Sequence, residues 1–142
     1  MNKINQLEKL LLTGKLLSKD IFKIEDIDLI LDSRDEECFD DEWIRNYNSI
    51  KSIETKIVIN SENEATIETI CEISYKITYE ATKSSDLAGY ISDDFGLIAE
   101  ALLIDYKDDW LNALASEYVR ERVPHNVLDP LKGELDKIIL ID

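Results

Sequence analysis

The amino-acid sequence predicts an α+β fold: an antiparallel sheet of three to four strands, then a long two-part helix, with an additional helix at the N-terminus. Three patterns support this prediction. Apolar and polar residues alternate from Ala65 to Glu80 and from Ile53 to Asn60, which is typical of half-buried strands. From Ser92 to Arg122, apolar residues recur every three or four positions instead, which is typical of a helix. The length of 142 residues predicts a single domain, 1–142.

The alternating stretch from Ala65 to Glu80 is predicted to have one buried and one exposed face. Its odd-numbered positions are mostly apolar, and its even-numbered positions are mostly charged or polar. Ile70 lies among the polar set, between Glu68 and Glu72. We therefore predict that these three residues form an exposed partner-binding patch, with an apolar centre surrounded by charge. A single exposed apolar residue without a function is the other explanation of Ile70.

The remaining segments give five further expectations. Helical spacing predicts a helix over Ile4–Leu17, and an imperfect alternation over Phe22–Leu31 indicates a weak strand. The acidic segment Asp32–Glu42 is too charged for a core, so we expect a loop or a solvated helical turn. Asp105–Asp109 offers a joint between two helices, because Asp108 can cap a new one, and both a broken and a continuous helix stay open here. Leu131–Ile141 is expected to end the chain as a helix or a strand.

The charge of the chain limits its partners. With 31 acidic and 16 basic residues, the net charge is −15. Binding to nucleic acid or to anionic lipid is not expected, since both depend on clustered cations. An acidic surface fits a basic protein partner, or serves solubility alone. Two cysteines, Cys38 and Cys71, are typical of a reducing cytoplasm, and no run of about 18 apolar residues predicts a membrane span.

Few residues suggest catalysis, and we predict a protein that is not an enzyme and binds no metal or cofactor. His125 is the single histidine, so no second one can share a metal or complete a catalytic triad. Glu54-Thr55-Lys56 has a spacing that some magnesium-dependent nucleases use on a strand. A nuclease would also need a basic groove for its polyanionic substrate, which this composition disfavours.

The order of elements resembles the SecB-like family of bacterial chaperones over roughly 53–139. Ile70-Cys71-Glu72 stands where that family has an apolar-Cys-Glu step on its last strand. Tyr106 stands where the second part of the family's helix begins. Pro124 and Pro130 stand six positions apart (130 − 124 = 6) with Leu128 between them, as in the family.

This resemblance implies a non-enzymatic, cytoplasmic homo-oligomer, a dimer or tetramer, that binds non-native polypeptides for export or guards an antitoxin. Its client groove would lie between sheet and helix and comprise Tyr75, Ile77, Tyr79, Phe95, Ile98 and Leu102. Its oligomer interface would comprise Trp110, Leu114 and Tyr118, and its partner contacts Glu68, Ile70 and Glu72.

Two other functions remain open on the sequence. The first alternative is a small acidic inhibitor, either an immunity protein or a phage-encoded blocker of a nucleic-acid-binding enzyme. It would imitate phosphates with the acidic residues Asp35, Glu36, Glu37, Asp40, Asp41 and Glu42. The second is the metal-dependent nuclease built around Glu54.

Overall fold

Seven α-helices and one short 3₁₀ helix make up the regular structure of this computed structural model, which describes residues 2–140. In chain order the α-helices are α1 (Lys3–Leu12), α2 (Ile27–Arg34), α3 (Glu37–Glu54), α4 (Ser61–Thr82), α5 (Ser85–Leu103), α6 (Asp109–Val119) and α7 (Leu135–Ile139). The 3₁₀ helix, Lys19–Phe22, lies between α1 and α2. No strand occurs within residues 2–140, so the predicted α+β fold with an antiparallel sheet is wrong.

The longest predicted strand is instead part of α4. Asn60 caps this helix, because its side chain accepts a hydrogen bond from the backbone N–H of Asn63 at 2.8 Å, as N-cap residues do. The buried residues Ile70, Ser74 and Thr78 are four positions apart, which is a helical spacing. Residues four positions apart lie on the same face of a helix and also on the same face of a strand. A strictly alternating sequence is therefore compatible with either structure. Packing of this face against the rest of the protein selects the helix.

The two shorter predicted strands are also wrong. Ile53–Asn60 covers the end of α3 and the irregular linker to α4, and Phe22–Leu31 covers the last residue of the 3₁₀ helix and the start of α2. The linker exposes its apolar residues, and Val58 is 98% exposed. An alternating sequence of this length needs a neighbouring strand to become a sheet, and α4 supplies none.

The predicted helices are largely confirmed. The N-terminal helix is α1, which ends before Gly14, whose φ is +76°. The break that the sequence left open is present between α5 and α6, where Asp108 accepts a hydrogen bond from the N–H of Leu111 at 3.0 Å. The acidic segment Asp32–Glu42 contains the end of α2 and the first turns of α3. The final element is the short helix α7, and Ile141 lies outside the described residues.

Helices α4 and α5 form a helical hairpin with a closely packed interface. The hydroxyl of Ser92 donates a hydrogen bond to the backbone carbonyl of Cys71 at 2.9 Å. A Cβ added to Gly96 would lie 2.9 Å from the Cys71 Sγ, which is inside van der Waals contact. The hairpin therefore depends on a residue without a side chain at this crossing.

The hydrophobic core is a single cluster to which α5 contributes one complete face. Its fully buried residues on α5 include Leu87, Ile91, Phe95 and Ile98, and α1, α3 and α6 pack around them. No helix within the described residues combines the length and the apolar character that crossing a bilayer requires.

We predict that Gly96→Ala is about 1–2 kcal/mol less stable than Gly89→Ala, because both gain helix propensity but only at Gly96 must Cys71 leave its rotamer or the two helices separate. Gly89→Ala is the matched control, since it lies on the same helix and its added Cβ meets nothing within 4 Å. That control should be neutral or stabilising by up to about 1 kcal/mol through helix propensity. Urea unfolding measures both, and equal stability of the two variants would contradict the close packing described here.

Candidate functional site

A buried carboxylate, Asp94 on α5, joins four helices. Arg34 on α2 donates two hydrogen bonds to it, from Nη1 to Oδ2 at 2.8 Å and from Nη2 to Oδ1 at 2.7 Å. Trp43 on α3 donates from Nε1 to Oδ1 at 2.9 Å, and Tyr118 on α6 donates from its hydroxyl to Oδ2 at 2.5 Å. The Arg34 and Asp94 side chains are 4% and 0% exposed. Bidentate geometry and two further donors compensate for burial of the charges.

Arg34 is held from several sides. Its Nη1 also donates to the backbone carbonyl of Pro124 at 3.1 Å, and its guanidinium lies 4.6 Å from the ring centre of Phe39 and 5.0 Å from that of Tyr90. The Nε atom is buried without a hydrogen-bond partner. Burial lowers the pKa of Arg34, but the charge and hydrogen bonds of Asp94, together with the interactions of Tyr118, outweigh burial and raise this pKa. The guanidinium is therefore a permanent positive charge under the surface.

A small cleft of about 90 Å³ lies over this network. Its walls include Asp35, Asp40 and Trp43, together with Tyr90 and Asp93. The hydroxyl of Tyr90 donates a short hydrogen bond to Asp35, which raises the pKa of this tyrosine to about 12. Burial, and then the charge of Asp94, raise the pKa of Asp93. The cleft thus combines aromatic walls with negative charge.

One side of α3 continues from this cleft as an exposed aromatic and acidic surface, which we call the α3 face. It comprises Glu37, Asp40, Asp41, Trp43, Ile44 and Tyr47. The Trp43 and Tyr47 rings stack with their centroids 5.6 Å apart. Ile44 and Tyr47 are 44% and 41% exposed. Ile44, Tyr47 and the stacked Trp43 ring thus form an adjoining set of apolar side chains beside acidic residues, which a protein partner could cover.

The acidic residues of the α3 face gain stability from the helix itself. Asp35 is the C-cap of α2 and Glu36 is the N-cap of α3. Glu37 and Asp40 lie in the first turn of α3. Carboxylates near a helix N-terminus interact favourably with the positive end of the helix dipole. The expectation of a loop or a solvated helical turn holds for the acidic residues of Asp32–Glu42, but it is wrong for Ser33, Arg34 and Phe39, which are buried.

The cations nearest this surface are already paired. Arg45 forms ion pairs with Glu42 at 2.9 Å and with Asp108 at 2.8 Å. Lys51 lies 5.3 Å from the Tyr47 ring centre and pairs with Glu100 at 2.9 Å and Glu54 at 3.2 Å. Glu54, the residue of the nuclease hypothesis, therefore contacts Lys51 at the end of α3. Among residues 2–140, no group of three or more His, Cys, Asp or Glu side chains is arranged to hold a metal ion.

The three residues of the predicted partner-binding patch lie on different sides of α4. Residues two positions apart point in nearly opposite directions on a helix, so Glu68 and Glu72 are exposed whereas Ile70 is 0% exposed. The expectation that Ile70 faces solvent is wrong. A role for Glu68 and Glu72 in partner binding stays a prediction.

The other predicted binding residues do not form a groove, because no sheet is present within residues 2–140. On α4, Ile77 is half-buried, and Tyr75 and Tyr79 are exposed, stacked on each other with centroids 6.3 Å apart. On α5, the residues Phe95, Ile98 and Leu102 lie in the core.

The predicted oligomer interface also lies inside one protomer. Trp110, Leu114 and Tyr118 are 5%, 0% and 1% exposed. Trp110 packs edge-on against Phe39 with ring centroids 5.2 Å apart, and Tyr118 bonds Asp94. These side chains stabilise the protomer, and the homo-oligomer stays a prediction that does not rest on them.

The sequence did contain a signal for the buried network. Asp94 shares the helical stripe of Leu87, Ile91 and Ile98, so a charge on this stripe requires a buried partner. Arg34 is the single cation in the acidic segment Asp32–Glu42. The two residues could not be paired from sequence alone, because 60 positions separate them.

The fold and the surface together define a small, acidic protein whose described residues form an all-helical fold with aromatic and acidic side chains exposed on α3. A family model described as "Immunity protein PIM1" matches residues 6–125. The chain belongs to this immunity protein family. No curated protein matches it. The predicted membership of the SecB-like family and the chaperone function are therefore wrong, and the alternative of an immunity protein is supported.

We predict that Asp94→Asn destabilises the protein by about 3–5 kcal/mol, because it leaves the buried Arg34 charge without its counter-ion. The adjacent Asp93→Asn is the control. Burial already raises the pKa of Asp93, and removing its charge should change stability by less than about 0.5 kcal/mol. Chemical unfolding of both variants decides the matter. Similar losses for the two would mean that Asp94 is not the central buried partner.

Proposed function

We infer that this chain protects the cell that makes it by binding a toxin directly and blocking it, without catalysis. The observation that carries this inference is the family match, which spans 120 of the 142 residues (125 − 6 + 1 = 120). An immunity protein acts against a toxin, and the α3 face offers an exposed surface for a protein partner. We do not expect the chain to bind nucleic acid, because its net charge of −15 repels polyanions.

We place this activity in the cytoplasm. Cys38 and Cys71 are both free thiols, and Cys38 is exposed. Free exposed thiols fit a reducing compartment, where disulfides do not persist. A toxin would then be neutralised where it acts or where it is made.

The test starts from a partner identified by two criteria: the chain captures it from the source cells, and its expression alone stops growth. We predict that co-expression of the chain restores growth. With the purified proteins, inhibition of the toxin should be complete at one chain per toxin molecule, because a blocker is consumed by binding. Inhibition by a small fraction of that amount would indicate catalysis, and absence of any protected toxin would contradict the proposed function.

A further inference from the structure

The α3 face exposes Tyr47 and Ile44 beside Trp43, which packs against the core. Tyr47 is 41% exposed and Ile44 is 44% exposed, while the Trp43 ring beneath Tyr47 is fixed by its hydrogen bond to Asp94 at 2.9 Å. Tyrosine and tryptophan dominate the centres of protein interfaces, because a rigid ring buries much area at little entropic cost. This helix face has the composition of such a centre.

Charge identifies the kind of partner. Between Asp35 and Glu42 the chain has six acidic residues and no cation, and the nearby cation Arg45 is bound to Glu42 and Asp108. Lys51, which lies over the Tyr47 ring, is likewise paired with Glu54 and Glu100, so the acids that remain unpaired with a cation make the field beside the rings negative. It attracts a surface rich in lysine or arginine and speeds the encounter with it.

The same charge excludes other occupants of this face. A second copy of the chain related by a two-fold axis would bring two identical acidic clusters together, which is repulsive. Nucleic acids and anionic lipids are repelled for the same reason. A basic protein is the occupant that remains.

We propose that the α3 face is the surface that binds the toxin, and that the toxin meets it with a basic surface. Lysine or arginine side chains of the toxin pair with Glu37, Asp40 and Asp41, and an apolar or guanidinium group covers Tyr47 and Ile44. This proposal rests on the proposed function, because it assigns the surface and the chemistry of the same toxin contact.

The first test compares two matched tyrosines. Tyr47 and Tyr79 are 41% and 42% exposed, each stacks on a neighbouring ring at 5.6 and 6.3 Å, and each has a lysine near its face, at 5.3 and 5.7 Å. We expect Tyr47→Ala to raise the Kd for the purified toxin at least about tenfold and Tyr79→Ala to change it less than about twofold. Thermal unfolding of both variants verifies that they fold.

The second test compares two variants, each of which removes three negative charges from one exposed helix surface. The test variant neutralises the α3 face by E37Q, D40N and D41N. The control neutralises exposed acids on α4 by E62Q, E64Q and E80Q. Both sets change the net charge equally (−15 + 3 = −12), and both include carboxylates in the first turn of a helix. The α3 variant should bind the toxin more weakly and lose most of the dependence of Kd on salt, whereas the control should keep both.

The outcomes separate the two proposals. If the wild-type chain neutralises a toxin and Tyr47→Ala and the α3 charge variant bind as tightly as their controls, the α3 face is not the toxin site, although the immunity function stands. Binding that does not depend on salt would also overturn the basic partner. If the wild-type chain neutralises no toxin, both the proposed function and this surface assignment fall.

Discussion

The carboxylate of Asp94 is the group on which the arrangement of α2, α3, α5 and α6 depends. It accepts two hydrogen bonds from Arg34 and one each from Trp43 and Tyr118, and its side chain is fully buried. A buried ion pair adds little net stability, because desolvation offsets most of its Coulomb energy. Breaking it is nevertheless costly, since one charge is then left without a partner. Such a pair therefore specifies which helices meet more than it strengthens their contact.

The hydrogen bonds of Asp94 also position residues at the surface. The indole N–H of Trp43 donates a hydrogen bond to Asp94, and the Trp43 ring stacks with the ring of Tyr47. The exposed rings of the α3 face are consequently held in place before any partner arrives, and binding loses less conformational entropy than it would with mobile side chains. The acids of the first turn of α3 are likewise held by helix geometry. The buried ion pair of Arg34 and Asp94 thus helps to position the exposed side chains of the α3 face.

Local signals in the sequence predicted some of this structure correctly and some wrongly. The cap at Asp108 and the helix α1 depend on neighbouring residues, and both are present. The burial of Arg34 and Phe39 within the acidic segment depends on distant residues, and the sequence does not predict it. The segment Ala65–Glu80 was misassigned because its alternation also contains the four-residue spacing of Ile70 and Ser74, and only packing against α5 separates the two structures. The resemblance to a sheet-containing chaperone followed from that misassignment. The immunity function is one of the alternatives that the acidic charge suggests, and the family match supports it.

The most direct test of this account is hydrogen exchange on a variant that removes both buried charges, Arg34→Met with Asp94→Leu. Replacing both partners by apolar groups avoids an unpaired charge, so the variant should remain folded. The account predicts that amides of α2 and α3 lose protection while those of the hairpin of α4 and α5 keep theirs. Unchanged protection in α3, with the Trp43 indole still slow to exchange, would contradict the claim that this network positions the binding face.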